Sequence, residues 1–289
     1  MSQSSITGWK QVLQFAGILS AITTTAGSPI PDKTCLNNRA SIWQPPAGTS
    51  WQIVLSSALT DTTPDVEIFD IDLFDNTKET ITELHTLGKK VICYFSAGTY
   101  EDWRADESAF LESDLGANLD DWEGERWLDL ASDNVRSIMA SRLDVAVQKG
   151  CDGVDPDNVD AYDNDNGGIG MTEDNSIDFV NWLAGEAHTR GLSIGLKNAG
   201  AIIPDVIENM QWSVNEQCVE YDECDTYATF VEADKPVFHI EYPKGEDTNN
   251  QKDVSASVEE GNCDGFGQSG LFSTLLKNMI LDDWYQGCQ

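Results

Sequence analysis

Short apolar runs recur along this chain, separated by stretches whose apolar residues return every three or four positions. Eight runs read as strands: residues 51–57, 66–73, 90–97, 126–131, 151–156, 192–197, 210–215 and 236–242. Each has the length and the β-branched or aromatic character of a buried strand. Between them, helical periodicity marks residues 77–87, 106–115, 134–148 and 176–190, the last with Ile177, Val180, Leu183 and Ala187 on one face. Ser132 or Asp133 is placed to cap the third helix, and Gly150 and Gly191 fall where the third and fourth patterns stop. Strands alternating with helices imply parallel βα units. Eight of them suit an α/β fold of the closed (β/α)8 TIM-barrel type, a single domain over residues 28–289.

The first 27 residues depart from that pattern. Lys10 precedes an apolar stretch from Val12 to Ile22, followed by small residues up to Ala26 and Gly27, the order of a secretory signal peptide. Gln11 and Gln14 interrupt it, and the run is too short to span a bilayer. Nothing later reads as a membrane span. The seven cysteines fit an oxidising compartment. Cys93 and Cys151, inside apolar runs, read as core thiols. Cys218 and Cys224 are spaced to close a short disulfide loop, and two of Cys35, Cys263 and Cys288 are available to tie the termini, leaving one cysteine free.

Charge narrows the partners. With 17 basic and 50 acidic residues the net charge is -33, so nucleic acid and anionic membrane surfaces are excluded and cationic ligands are favoured. The plainer role of such charge is solubility. No Gly-x-Gly-x-x-Gly or phosphate loop appears. His85, His188 and His239 lack metal-ligand spacing, and the acidic stretch from Asp163 to Asp174 departs from a calcium loop at Gly167 and Asp174. No cofactor or metal is expected, and the chain is read as a monomer.

The densest chemistry lies in Cys151-Asp152-Gly153-Val154-Asp155-Pro156-Asp157-Asn158-Val159-Asp160, a strand ending in carboxylates. Period-two geometry puts Asp155 and Asp157 on one face, where like charges raise at least one pKa. In a barrel, chemistry gathers at the carboxyl ends of strands. Those ends carry Asp70 and Asp72, Tyr94 to Glu101 with Trp103 and Arg104 behind, Trp127 to Asp129, Lys197 and Asn198, Asn215 to Gln217, and Glu241 with Tyr242. Aromatic faces stack on sugar rings and carboxylates accept from hydroxyl or ammonium groups, so the rim suits carbohydrate. Trp43 and Tyr94 read as sugar platforms or as core aromatics.

The aspartate stretch resembles the Asp-Gly-x-Asp-x-Asp-x-Glu signature of family 18 chitinases, with Val159 at the position of their acid glutamate. A fuller resemblance joins Trp43-x-Pro45, Tyr94-Phe95-Ser96-Ala97-Gly98-x-Tyr100-Glu101, Asp152-Gly153-x-Asp155-Pro156-Asp157-Asn158-x-Asp160, Gly195-Leu196-Lys197-Asn198 and Asn215-Glu216-x-Cys218. That ordered set is similar to glycoside hydrolase family 114, secreted TIM-barrel endo-α-1,4-polygalactosaminidases, over about Ser41 to Tyr242. The resemblance implies that the aspartate of the fifth strand and the glutamate of the seventh, Asp157 and Glu216, form the catalytic pair.

In the retaining form of that chemistry Asp157 attacks as an ionised nucleophile and Glu216 serves as acid, then base. Family 18 enzymes use the substrate's N-acetyl group instead. A free amine cannot do this, so a polymer without acetyl groups needs a protein nucleophile. Lys197 would lower the pKa of Asp157 or neutralise buried carboxylates. Asp155 and Asp160 would oppose it or hold neighbouring groups, and Asp70, Asn198, Glu241 and Tyr242 would bind substrate, Glu241 being placed to exchange roles with Glu216. The rival readings are a catalytically silent amino-sugar-binding barrel and a chitinase-like hydrolase.

Overall fold

The computed structural model describes residues 42–288 apart from 121, 265 and 268. The leader-like segment and Cys35 therefore lie outside the described residues. The elements are, in chain order, β1 (Trp51–Val54), β2 (Ile68–Asp72), α1 (Lys78–Thr86), β3 (Lys90–Ser96), β4 (Thr99–Glu101), β5 (Leu115–Asn118), β6 (Glu125–Leu128), α2 (Asp133–Lys149), β7 (Gly153–Asp157), α3 (Glu173–Thr189), β8 (Ser193–Lys197), α4 (Ile203–Val206), β9 (Trp212–Glu216), α5 (Cys224–Glu232), β10 (Val237–Glu241), α6 (Ala256–Cys263), β11 (Ser273–Lys277) and β12 (Tyr285–Gly287). One sheet has the order β1-β2-β3-β7-β8-β9-β10-β11-β12. Its first eight strands pair in parallel, and only β12 is antiparallel. The sheet nearly closes into a barrel. Side chains span the seam: Trp51 Nε1 donates to Ser273 O at 2.7 Å, and Lys277 Nζ to Ile53 O at 2.7 Å.

One expected strand leaves the barrel and one that was not expected completes it. Residues 126–131 do not enter the barrel, because Glu125–Leu128 pairs antiparallel with β4 and β5 in a separate three-stranded sheet. The eighth barrel strand is Ser273–Lys277, a short run behind a glycine-rich stretch. Asp157 and Glu216 thus end the fourth and sixth barrel strands, not the fifth and seventh.

Strand alternation builds the interior in layers. Trp51, Ile53, Ile68, Ile92, Trp212, Val214, Phe238, Ile240 and Leu275 form an apolar plug at the amino ends of the strands. Trp212 fits because Gly195 faces it: a Cβ there would sit 2.0 Å from Trp212 Nε1. Above the plug the inward positions turn polar, with Asp70 and Asp155, then Tyr94, Asp157, Lys197, Glu216 and Tyr242. The alternate positions, such as Phe69, Cys93, Val154 and Leu196, pack outward in the larger core with the helices.

Ser132, not Asp133, caps α2, its Oγ accepting from Asn134 N and Val135 N, and the helix ends at Gly150 with φ 95°. α3 starts ahead of the apolar pattern, capped by Thr172. The helix expected over 106–115 is instead two 3₁₀ turns, Glu107–Ala109 and Glu112–Asp114, with Phe110 extended between them. The Asp114 carboxylate explains the break: it accepts from Leu111 N, Ser132 Oγ and Asn134 Nδ2, tying the turn to the start of α2.

Cys93 and Cys151 are not core thiols but a disulfide joining β3 to the entry of β7. Cys218–Cys224 closes the short loop expected. The third bridge, Cys263–Cys288, tethers α6 to the chain end after β12 and does not link the two termini.

Candidate active site

Strand alternation and parallel register bring Asp157, Lys197 and Glu216 to one point at the carboxyl end of the barrel. Lys197 Nζ lies 3.4 Å from Asp157 Oδ2 and 3.3 Å from Glu216 Oε2, so those oxygens are no farther apart than the two contacts end to end. Tyr94 Oη donates to Asp157 Oδ2 at 2.9 Å, and Asn158 N to Oδ1 at 2.8 Å. Glu216 accepts from Asn198 Nδ2 at 3.0 Å and from Tyr242 Oη, while Asn198 Oδ1 takes the Glu216 backbone N–H at 2.9 Å. Asn198 does this from a left-handed backbone, φ 46°, which asparagine tolerates.

Electrostatics separates the carboxyl groups. Burial opposes the charge on Glu216, but Lys197, Tyr242 and Asn198 outweigh it and hold the group below the usual carboxylate range. Glu216 is therefore ionised in the empty cleft, contrary to the protonated acid expected from sequence. Burial likewise opposes the Lys197 charge, and Asp157, Glu216, Asp155 and Asp70 reverse the effect, keeping it cationic. Burial, then Asp157, pushes Asp160 up to about 6. Burial raises both tyrosines, so each remains a donor.

The cleft above these residues has a volume of about 660 Å³ and is lined by Tyr94, Asp157, Asp160, Lys197, Asn198, Glu216 and Tyr242 among others. Four expected ligand-facing residues lie elsewhere. Trp43 sits at the opposite end of the barrel, against Trp212 and with its carbonyl on Ser193 Oγ. Asp70 and Asp155 point inward one layer below the cleft, fully buried, with no hydrogen-bond donor on either carboxyl among the described residues. Burial, then Asp155, raises Asp70 well above the usual range, and burial raises Asp155 to about 7, so both hold their protons more tightly than exposed carboxyl groups do. Glu241 has the wrong strand parity. It faces outward, accepting from Val219 N at 2.8 Å and contacting His239 Nε2 at 2.8 Å, and cannot exchange with Glu216.

Other lining groups escaped the sequence reading. Trp122 and Tyr221 stand exposed at the rim with Trp103. Glu125 reaches the cleft from β6, outside the barrel, and its only signal was the acidic, Trp-flanked stretch around it. Val159, at the acid position of family 18, is buried in the outer core at 1% exposure. That position offers no acid to a chitinase scheme.

A parallel barrel with a carboxylate pair in an acidic, aromatic-rimmed cleft defines a TIM-barrel glycosidase site. The chain belongs to the glycoside-hydrolase family GH114, whose profile matches residues 32–289. It is a glycoside hydrolase, not a silent binding barrel. The crystal structure of Aspergillus fumigatus Ega3 in complex with galactosamine is similar at 63% identity and TM-score 0.84, covering 85% of this chain and 97% of that one. The glycoside hydrolase domain of PelA from Pseudomonas aeruginosa shares the fold at 13% identity and TM-score 0.63, covering 82% and 97%. No curated protein matches the sequence.

Proposed function

We propose that this chain is a secreted, retaining endo-hydrolase of α-1,4-linked galactosamine polymer, with Asp157 and Glu216 as its catalytic pair. The observation that carries the reading is their convergence on Lys197 at the floor of an acidic cleft. The two contacts to the shared lysine admit the ~5–5.5 Å of a double displacement as well as the lower edge of the ~6.5–9.5 Å of inversion. Galactosamine in the Ega3 complex and a net charge of -33 support a cationic amino-sugar polymer, drawn in by the protein's field. Three disulfides support an oxidising destination, residues 1–27 acting as the signal peptide of the hydrolase domain at 28–289.

Asp157 attacks the anomeric carbon while Glu216 protonates the departing glycosidic oxygen. Water, deprotonated by Glu216, then releases the sugar from Asp157. Because Glu216 is ionised in the empty cleft, this order requires it to take up a proton with substrate. Its lowered pKa favours a second assignment, in which Glu216 attacks and Asp157 is the acid. Azide rescue distinguishes the two. Asp157→Asn and Glu216→Gln should each lower kcat by about 10²–10⁴-fold without loss of folding. Azide should restore turnover through an anomerically inverted azide in the nucleophile variant, and through a retained one in the acid variant. Full activity in both variants would remove the pair from the mechanism.

A further inference from the structure

Of the carboxyl groups that line the cleft, Glu125, Asp160 and Glu223 have no ion-pair partner among the described residues, and Glu125 is the one of the three that is buried. Lys197 serves Asp157 and Glu216, and Arg104 holds Asp72 at 2.7 Å and Glu101 at 2.8 Å. Glu125 has no cation among the described residues, although it is 6% exposed and lines the same cleft as the catalytic pair. Thr99 Oγ1 donates to its Oε2 at 2.7 Å and fixes the side chain, while Oε1 takes no hydrogen bond from a described residue. Thr99 is itself locked by Ser96 Oγ and by Asn158 Nδ2 at 3.2 Å, next to Asp157 in the chain. The carboxyl group is therefore rigid, largely dehydrated and half-satisfied, a few side chains from where the bond breaks.

We propose that Glu125 is a specificity residue that receives the free ammonium group of a galactosamine unit bound in the cleft and so selects de-N-acetylated polymer. This rests on the galactosamine-polymer reading and names the residue that enforces it. A cation supplies what the pocket lacks: an N–H donor for Oε1 and a countercharge for a buried carboxylate. An acetamido group offers one donor and no charge, and adds a methyl and a carbonyl oxygen facing an acceptor.

The empty site fits this role. Burial pushes the Glu125 carboxyl up to about 7, helped by Glu101 and Asp157 and opposed by the Thr99 hydrogen bond and Arg104. Below that value Glu125 is neutral in the empty cleft. An arriving ammonium group converts it to carboxylate, and the proton leaves to solvent. At about pH 6, binding of the charged sugar should thus release up to one proton, and at pH 8 almost none.

Titration calorimetry with galactosamine, in two buffers of different ionisation enthalpy, reads this release directly. At pH 6 wild-type protein should release up to one proton more than Glu125→Gln, a difference from which uptake by Glu216 and release by Asp160 cancel. Glu125→Gln, which keeps an acceptor for Thr99, should also bind galactosamine at least tenfold more weakly, with N-acetylgalactosamine affinity unchanged. Its ratio of kcat/KM on fully de-N-acetylated over partly acetylated polymer should fall at least tenfold. Should Glu125→Gln not fold, Glu125→Asp reads the same proton count and ratio with a retracted carboxyl. Unchanged proton release and discrimination would place the ammonium elsewhere and overturn the proposal. Failure of the wild-type protein to cut the polymer would instead overturn the substrate reading beneath it.

Discussion

Lys197 governs the site at the scale of single residues. Its ammonium group depresses Glu216, so Lys197→Met should move the limb of the pH–rate profile controlled by Glu216 upward, by ~1–3 pH units for loss of an adjacent opposite charge. The alkaline limb moves if Glu216 is the acid, the acidic limb if it is the nucleophile, and a profile with both limbs fixed would contradict the electrostatics. Asp70 and Asp155 make a separate prediction about stability. Both pKa values are raised by burial, Asp155 to about 7, so the folded state binds these protons more tightly than the unfolded chain. Stability from them is complete below an unfolded pKa of about 3.9 and is lost as pH rises towards 7. Asp70→Asn should flatten the fall in Tm between about pH 4 and 7, and an unchanged slope would show that Asp70 holds no proton in the folded state. These residues also show where sequence was readable. Asp157, Lys197 and Glu216 are marked by motif and strand-end position, but Glu241 ends its strand run just as clearly and only strand parity sends it outward.

Among the elements, β3 and β7 supply Tyr94 and Asp157 and are joined by a covalent bridge on their outer side. Cys93–Cys151 closes a span of 58 residues that contains the whole three-stranded sheet and α2. In the chain-entropy description such a loop contributes about 4 kcal/mol. Urea unfolding of Cys93→Ala/Cys151→Ala should show a loss of that size, and a loss under about 1 kcal/mol would mean that the unfolded chain is already constrained there. Sequence pattern did not expose the bridge, because both cysteines lie in apolar runs that explain their burial without it. The same weakness misplaced one strand. Residues 126–131, with Trp127, Leu128 and Leu130, carry enough apolar positions to read as a barrel strand, and periodicity cannot tell parallel from antiparallel partners. β11 is as long as β2, β8 and β10, five residues each, and was hidden by the polar, glycine-rich stretch before it rather than by its length.

For the molecule as a whole, the consequence of charge is kinetic. At -33 the protein should capture a polycation at a rate that falls steeply with salt, since the screening length shrinks from about 30 Å at 0.01 M to about 3 Å at 1 M. kcat/KM on the polymer should drop severalfold across that range while kcat stays constant. Salt-independent kcat/KM would leave the acidic surface with solubility alone. No helix among the described residues is long and apolar enough to cross a membrane. The three-stranded sheet leaves the wall after β3 and returns through α2 to β7, carrying Glu125 and Trp122 with it. It is a cassette hung on the scaffold by its two ends, so a graft from a relative could change which sugar is gripped while the cutting edge stays untouched.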